Sequence, residues 1–260
     1  THEDGDHVWG NQLFKGAEII AHRTVLERMP HVADPSETQK LLAGADRFLS
    51  RLLLKAIHPG ALAIAKQLQQ DYDFSGINLV LPTTVFDERH VLDLDGTEVQ
   101  LIYVGPCHQV GDTIVYLPKE RVLFAGDVIF RECTPMGWTG SYEKWLKIID
   151  LIIALDPEVI VFGHGPVCGL EGAMEMKTYL DYVREESSSF FARGMSALDA
   201  AKRIDLGPYS AWNAPARVYL NVERAYREFR HEVEDQPWDT AKSFDHIYKV
   251  AKSRGIRVEF

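Results

Sequence analysis

Between Asn78 and Phe130 four strand-like runs follow one another, NLVLPTTVF, HVLDLDGTEVQLIYV, DTIVYLP and RVLFAGDVIF. Apolar residues recurring at a period near two and bounded by turn residues require a sheet in the middle of this chain. Asp95-Gly96, inside the second run, is a tight hairpin signal. SYEKWLKIIDLIIAL then switches to helical spacing, and PEVIVFGHGPV returns to a short apolar strand that enters a glycine-rich loop. Strands with helices between them predict an α/β fold.

The flanks are helical. VWGNQLFKGAEIIAHRTVLERM reads as a short helix, a strand near Ala17 to Ala21 and a second helix from about His22. Ser36 to Tyr72 carries Leu, Ala and Ile at helical spacing, broken at His58-Pro59-Gly60, which predicts a helical hairpin. From Glu171 onward the chain is mostly helical; Ser196 with Asp199 three residues later is a cap signature, and further helices are expected near 216–234 and 240–253. The expected division is a domain over 1–170, carrying a helical insertion at 36–72, and a helical extension over 171–260.

With 46% apolar residues among 260, the chain can bury a substantial core. A formal net charge of -10 argues against nucleic acid or an anionic membrane as partner, because an acidic surface attracts neither polyanion. The three cysteines, Cys107, Cys133 and Cys168, are widely spaced and odd in number. They form no disulfide framework and no paired metal clip, which places the chain in a reducing, cytoplasmic setting. No apolar run reaches the roughly eighteen residues of a membrane span.

The opening stretch, THEDGDH, holds two imidazoles, three carboxylates and almost nothing apolar. It reads either as a solvated terminus or as a metal site in which His2, Asp4, Asp6 and His7 turn toward one point. Farther along, GPCHQVGD places His108 in a loop before an apolar strand, LFAGD places Asp127 at a strand end, and VFGHGP does the same for His164. Each alone reads as a cap or turn residue; together with the opening cluster they favour metal.

In their order, THEDGDH, GPCHQVGD, LFAGD and VFGHGP closely resemble the metallo-β-lactamase-fold superfamily, over roughly Thr1 to Val167. The resemblance implies a four-layer αβ/βα sandwich with its site along one edge, here with the helical insertion and helical C-terminal tail. It implies two divalent metal ions, zinc first and iron or manganese as alternatives. His2, Asp4 and His108 would surround one ion and Asp6, His7 and His164 the second, with Asp127 bridging. The implied activity is hydrolysis of an ester, lactone, thioester or amide by a metal-bridging hydroxide, with Asp6 orienting or shuttling the proton.

Two features depart from the family pattern. Asp4 stands where a histidine is usual, and an oxygen ligand there shifts preference toward iron or manganese. A diiron redox protein, with a metal site like that of flavodiiron proteins, is therefore the alternative reading. The second departure is that only Thr1 precedes His2. Either this chain is a fragment of a longer product, or another chain supplies the sheet that the family places before this motif, or the fold is incomplete; the expectation is missing partner strands from a separate segment, with a homodimer as the alternative partner. Trp9, Trp138 and Tyr142 lie close in sequence to the motifs and are the candidate walls of an apolar pocket for a small-molecule substrate.

Overall fold

The computed structural model describes residues 1–232 and 236–259. In chain order its elements are α1 (Gly5–Val8), β1 (Ile20–His22), α2 (Arg23–Val32), α3 (Pro35–Asp46), α4 (Phe48–Ile57), α5 (Pro59–Asp71), β2 (Thr84–Phe86), β3 (Arg89–Leu94), β4 (Thr97–Tyr103), β5 (Thr113–Leu117), β6 (Val122–Phe130), α6 (Tyr142–Ala154), β7 (Val159–His164), α7 (Leu170–Ala192), α8 (Ala197–Arg203), α9 (Val218–Phe229) and α10 (Thr240–Arg254). They fall into two compact units. The first holds residues 1–34, 77–131 and 137–179; the second holds 35–76, 132–136 and 180–260.

In the first unit a five-stranded sheet runs in the order β3-β4-β5-β6-β7. The first three pairings are antiparallel and β6 pairs with β7 in parallel. The β3-β4 hairpin closes at Asp95-Gly96, both with positive φ (53° and 87°), the backbone that a twisted two-residue turn demands. Parallel pairing needs a crossover, and α6 supplies it. Ser141 caps this helix by accepting from the Lys144 N–H at 3.2 Å, and Trp145, Ile149 and Ile152 are fully buried. Trp145 also donates its indole N–H to the Val128 carbonyl at 2.8 Å, tying the crossover helix to the strand that ends in the site.

A second, two-stranded parallel sheet joins β1 to β2. The run beginning at Asn78 yields only the three residues of β2, after Pro82, whose missing N–H cannot join a ladder. Val8, Val25, Met29 and Ala33 form a small core between α1 and α2, with Trp9 and Leu79 packed against it. The expected strand near Ala17 to Ala21 is found slightly later, and His22 ends it while capping α2 through the Thr24 N–H at 3.3 Å.

The second unit is helical. Ser36 to Tyr72 is three helices rather than a hairpin, because the chain breaks at Arg47, in extended conformation, as well as at His58. This segment also belongs with the C-terminal helices and not, as its place in the sequence implies, with the metal-motif domain. The reason is a specific junction: Asp245 on α10 accepts from the Gly60 N–H and pairs with His58 Nδ1, each at 2.8 Å. A side chain at Gly60 would collide with the backbone of Phe244 and Asp245. Helix α7 is divided, with residues up to Tyr179 in the first unit and those from Leu180 in the second. Ser196 caps α8 as its spacing predicts, accepting from the Asp199 N–H at 3.1 Å, and α9 and α10 occupy the predicted C-terminal positions. The predicted end of the first of these helices, near 234, lies outside the described residues.

Candidate metal centre

Four chain segments of the first unit deliver the motif residues to one place. His2 and Asp4 precede α1, and Asp6 and His7 lie on its single turn, so that a four-residue helix fans out side chains that a straight segment would send apart. His108 sits in the loop between β4 and β5, Asp127 lies on β6, and His164 ends β7. The β6-β7 pairing is irregular around Gly126, with register shifts between Phe124 and Phe130, which locally frees the strand around Asp127 from strict alternation. A side chain on Gly163 would fall on the Asp127 carboxylate, so the neighbouring strand must be bare there for Asp127 to reach inward.

Asp127 faces all four imidazoles. Its Oδ2 lies 3.9 Å from His2 Nε2, 3.4 Å from His108 Nε2 and 3.4 Å from His164 Nε2, and its Oδ1 lies 3.3 Å from His7 Nε2. Asp4 Oδ2 stands 3.1 Å from His108 Nε2 and 3.7 Å from His2 Nε2. On the other side, Asp6 Oδ2 stands 3.3 Å from His7 Nε2 and 3.4 Å from His164 Nε2. Two clusters of donor atoms result, each within 4.8 Å: His2, His108 and Asp127 in one, Asp6, His7 and His164 in the other. His2 Nε2, His7 Nε2 and Asp127 Oδ1 are buried and have no hydrogen-bond partner. Bare buried polar atoms are costly, and these three belong to the gathered motif side chains, so the residues present fit a bound metal.

The electrostatics agree. Burial opposes charge on His108, but the Asp127, Asp4 and Asp112 carboxylates override it and push the imidazole up to about 10. Hydrogen bonding to Asp127 and Asp6 raises His164 to about 10 as well. His2 moves the other way, well below the usual histidine range, through burial and the neighbouring His108 and His7. Asp6 and Asp127 are held well below the ordinary carboxylate range, because the imidazoles beside them outweigh the burial that opposes their charge. In the absence of cations, protons on imidazole balance the carboxylates.

A sequence profile of the Metallo-beta-lactamase superfamily matches residues 1–164. The chain belongs to this superfamily. It is 35% identical over 82 residues to the 2,4-dinitroanisole O-demethylase subunit alpha of Nocardioides sp. (strain JS1661), covering 30% of this chain and 24% of that protein. It is 29% identical over 115 residues to the metallo-beta-lactamase type 2 of Bacteroides fragilis, covering 42% of this chain and 46% of that one. The chain thus matches about a quarter and just under half of the lengths of these relatives. Among solved structures, a metallo-beta-lactamase family protein from Thermus thermophilus has a TM-score of 0.52 at 16% identity, with 85% of this chain and 69% of that one covered. A stereoselective inverting sec-alkylsulfatase from Pseudomonas sp. has a TM-score of 0.54 at 12% identity, with 90% and 39% covered. Both share the metallo-β-lactamase fold with this chain.

Within this superfamily frame, several residues that sequence reasoning passed over position the motif. Gln109 donates its amide N–H to Asp4 Oδ1 at 2.7 Å, which leaves Oδ2 facing the imidazoles. Asp112 accepts from the backbone N–H groups of His108 and Gln109 at 2.5 and 2.8 Å, fixing the His108 loop, and burial pushes its own carboxyl up to about 7. Glu3, fully buried, accepts from the Gly111 N–H at 3.0 Å and from Arg28 Nε at 2.9 Å, locking the opening motif onto that same loop. Phe130 stacks parallel to the His164 ring at 5.6 Å. The available sequence signal was the run of polar residues between the motif letters themselves.

The three aromatic residues expected to line a substrate pocket differ in their placement. Trp9 packs on Gly5 and donates its indole N–H to the Ala33 carbonyl at 2.8 Å, so it props up the opening motif. Trp138 is half-buried and its backbone N–H bonds the His108 carbonyl at 2.8 Å, which puts it beside the site. Tyr142 is a correction: as the first residue of α6 it is fully buried, with no surface to offer a substrate. Its position satisfies the apolar face of the crossover helix, a pull that adjacency in sequence to a site does not override.

Proposed function

We propose that this chain is a dinuclear metal-dependent hydrolase that opens an ester, lactone, thioester or amide bond with water. The observation that carries this reading is Asp127, one buried carboxylate 3.3 to 3.9 Å from four imidazole nitrogens. Three of the polar atoms so gathered are buried without a partner. His2, Asp4 and His108 would hold one ion and Asp6, His7 and His164 the other, with Asp127 shared. Nitrogen-rich donors with carboxylate suit zinc. When bound, such a pair supplies Lewis acidity toward an electrophilic carbonyl or phosphoryl and a water acidified to near neutrality.

The chain's own part is positioning and proton movement. Asp127, with 4% of its side chain exposed, stays inside and keeps the four rings in register. Asp6, with 58% exposed, sits where water reaches it, and its carboxylate beside His7 and His164 orients that water or passes on its proton. Asp4 is steered by Gln109 and presents one oxygen inward. Protein purified without added metal, then assayed before and after chelation on esters, lactones, thioesters and β-lactams, tests the proposal. About two zinc ions per chain and chelator-sensitive hydrolysis restored by zinc are the expected results. A sulfate ester and an aryl methyl ether join the panel, because the names of two neighbours concern those bonds. Hydrolysis that survives complete metal removal would overturn it.

One observation favours a second reading. Asp4 Oδ2, 3.1 Å from His108 Nε2, gives the first cluster an oxygen donor where nitrogen is usual, and oxygen donors favour iron or manganese. Coloured protein carrying iron, with oxygen consumption and no hydrolysis, would identify a diiron redox protein instead.

A further inference from the structure

Helix α4 buries none of its residues. Phe48, Leu49, Leu52, Leu53 and Ile57 are 55% to 77% exposed, a run of apolar surface well beyond the isolated leucines that any protein shows to water. Beside it a cavity of about 380 Å³ opens between α4 and α5, with Tyr248 of α10 on its wall. Its apolar lining comes chiefly from Phe48, Leu52 and Leu62. Three cations complete it: Arg51 and Lys55, one turn apart on α4, and Lys66 on α5.

Two observations bear on those cations. From Arg47 to Gln70 the sequence contains no Asp or Glu, in a chain whose formal net charge is -10. Among the described residues none of the three makes an ion pair, so no carboxylate of the chain occupies the space between them. Unpaired cations over an apolar trough call for an occupant with an anionic head and an apolar tail. The cavity volume lies within the roughly 300–1,000 Å³ of small-molecule sites.

We propose that this cavity binds a single-chain anionic amphiphile, an alkyl chain ending in a carboxylate or sulfate, with the tail against Phe48, Leu52 and Leu62 and the head group between Arg51, Lys55 and Lys66. A second copy of the chain is the poorer occupant. Pairing α4 with itself would bring a helix that has three basic residues and no acid, counting Arg47 at its start, against an identical one, and like charges across a contact are unfavourable. The residues involved all belong to the second unit, and every proposed metal ligand belongs to the first, so this site stands or falls independently of the proposed hydrolysis.

Titration of the full chain with laurate below its micelle concentration, followed calorimetrically, is the test. Dodecyltrimethylammonium, dodecyl maltoside and phosphatidylglycerol vesicles serve as parallel titrants, and light scattering records the oligomeric state. The expected result is saturable binding of one laurate per chain, weakened by salt and absent for the cationic amphiphile. The double substitution Arg51→Glu, Lys55→Glu should weaken it by at least about tenfold, since it removes charge-assisted contacts to the head group. Both side chains reach solvent, so the fold should survive, and unchanged circular dichroism would verify that; Lys66→Glu gives an independent second variant. The proposal is overturned if laurate does not bind, if the cationic or neutral amphiphile binds equally well, or if binding ignores both charge reversals. It is equally overturned if laurate binding is lost in His108→Ala alone, if only vesicles bind, or if the face proves to be covered by a second copy that Leu52→Asp releases.

Discussion

Replacing Asp127 by asparagine preserves the shape of the side chain and deletes the charge that four imidazoles face. The expected outcome for Asp127→Asn is loss of bound metal and of metal-dependent turnover, with His108 and His164 moving back toward the ordinary histidine range; elemental analysis and histidine NMR titration would read both effects. Gln109→Ala acts one step farther out. Without its amide, Asp4 is free to turn, and metal affinity should fall by about 10- to 100-fold, as when outer partners of ligands are removed elsewhere; chelator competition measures it. The motif residues themselves were legible because, although each alone reads as a cap or turn residue, their order after the charge-dense opening forms a set that resembles one superfamily. Gln109 and Glu3 were not, because their partners Asp4 and Gly111 lie 105 and 108 positions away in sequence. No local pattern marks a contact that the fold alone creates.

At the scale of elements, the β6-β7 pair holds the tightest steric constraint in the site. Gly163→Ala would put a methyl group where the Asp127 carboxylate lies, so metal content should drop while the sheet stays intact, as circular dichroism and elemental analysis together would show. Ser141→Ala removes the cap of the crossover helix and should cost about 1 kcal/mol of stability, read by denaturant unfolding, with little change in metal content. Periodicity located most of these elements: the β3-β4 hairpin, β5, β6, α6, β7 and α8 all fall where spacing and capping put them. It overextended the strand before Phe86, where Pro82 forbids a longer ladder, and joined α3 to α4, where Arg47 adopts an extended backbone and the apolar spacing runs on past Gly44 in the last turn of α3.

For the whole molecule, the charge balance of the site sets how it responds to pH. His108 and His164 are raised in the folded, metal-free chain from 6.5 to about 10, so the stability they contribute is complete below about 6.5 and is lost as pH rises toward 10. Asp6 and Asp127 are depressed below 3.8, so their contribution is present above that value and lost as pH falls through the acid range. Chelated protein should accordingly lose thermal stability from pH 6.5 upward. Metal affinity should do the reverse and rise over the same interval, because each ion displaces protons from these rings. Thermal melts with and without chelator across that range would show the two curves diverging. The sequence by itself determined the order of strands and helices and the superfamily, and it singled out the motif side chains that the fold gathers, because residue type and local period are properties of short segments. Only the tertiary structure decided that Asp127 meets four imidazoles at once, that Tyr142 is core, and that residues 35–76 join the C-terminal helices through Asp245. Each of these depends on packing between segments far apart in the chain, where shape and burial choose the partner.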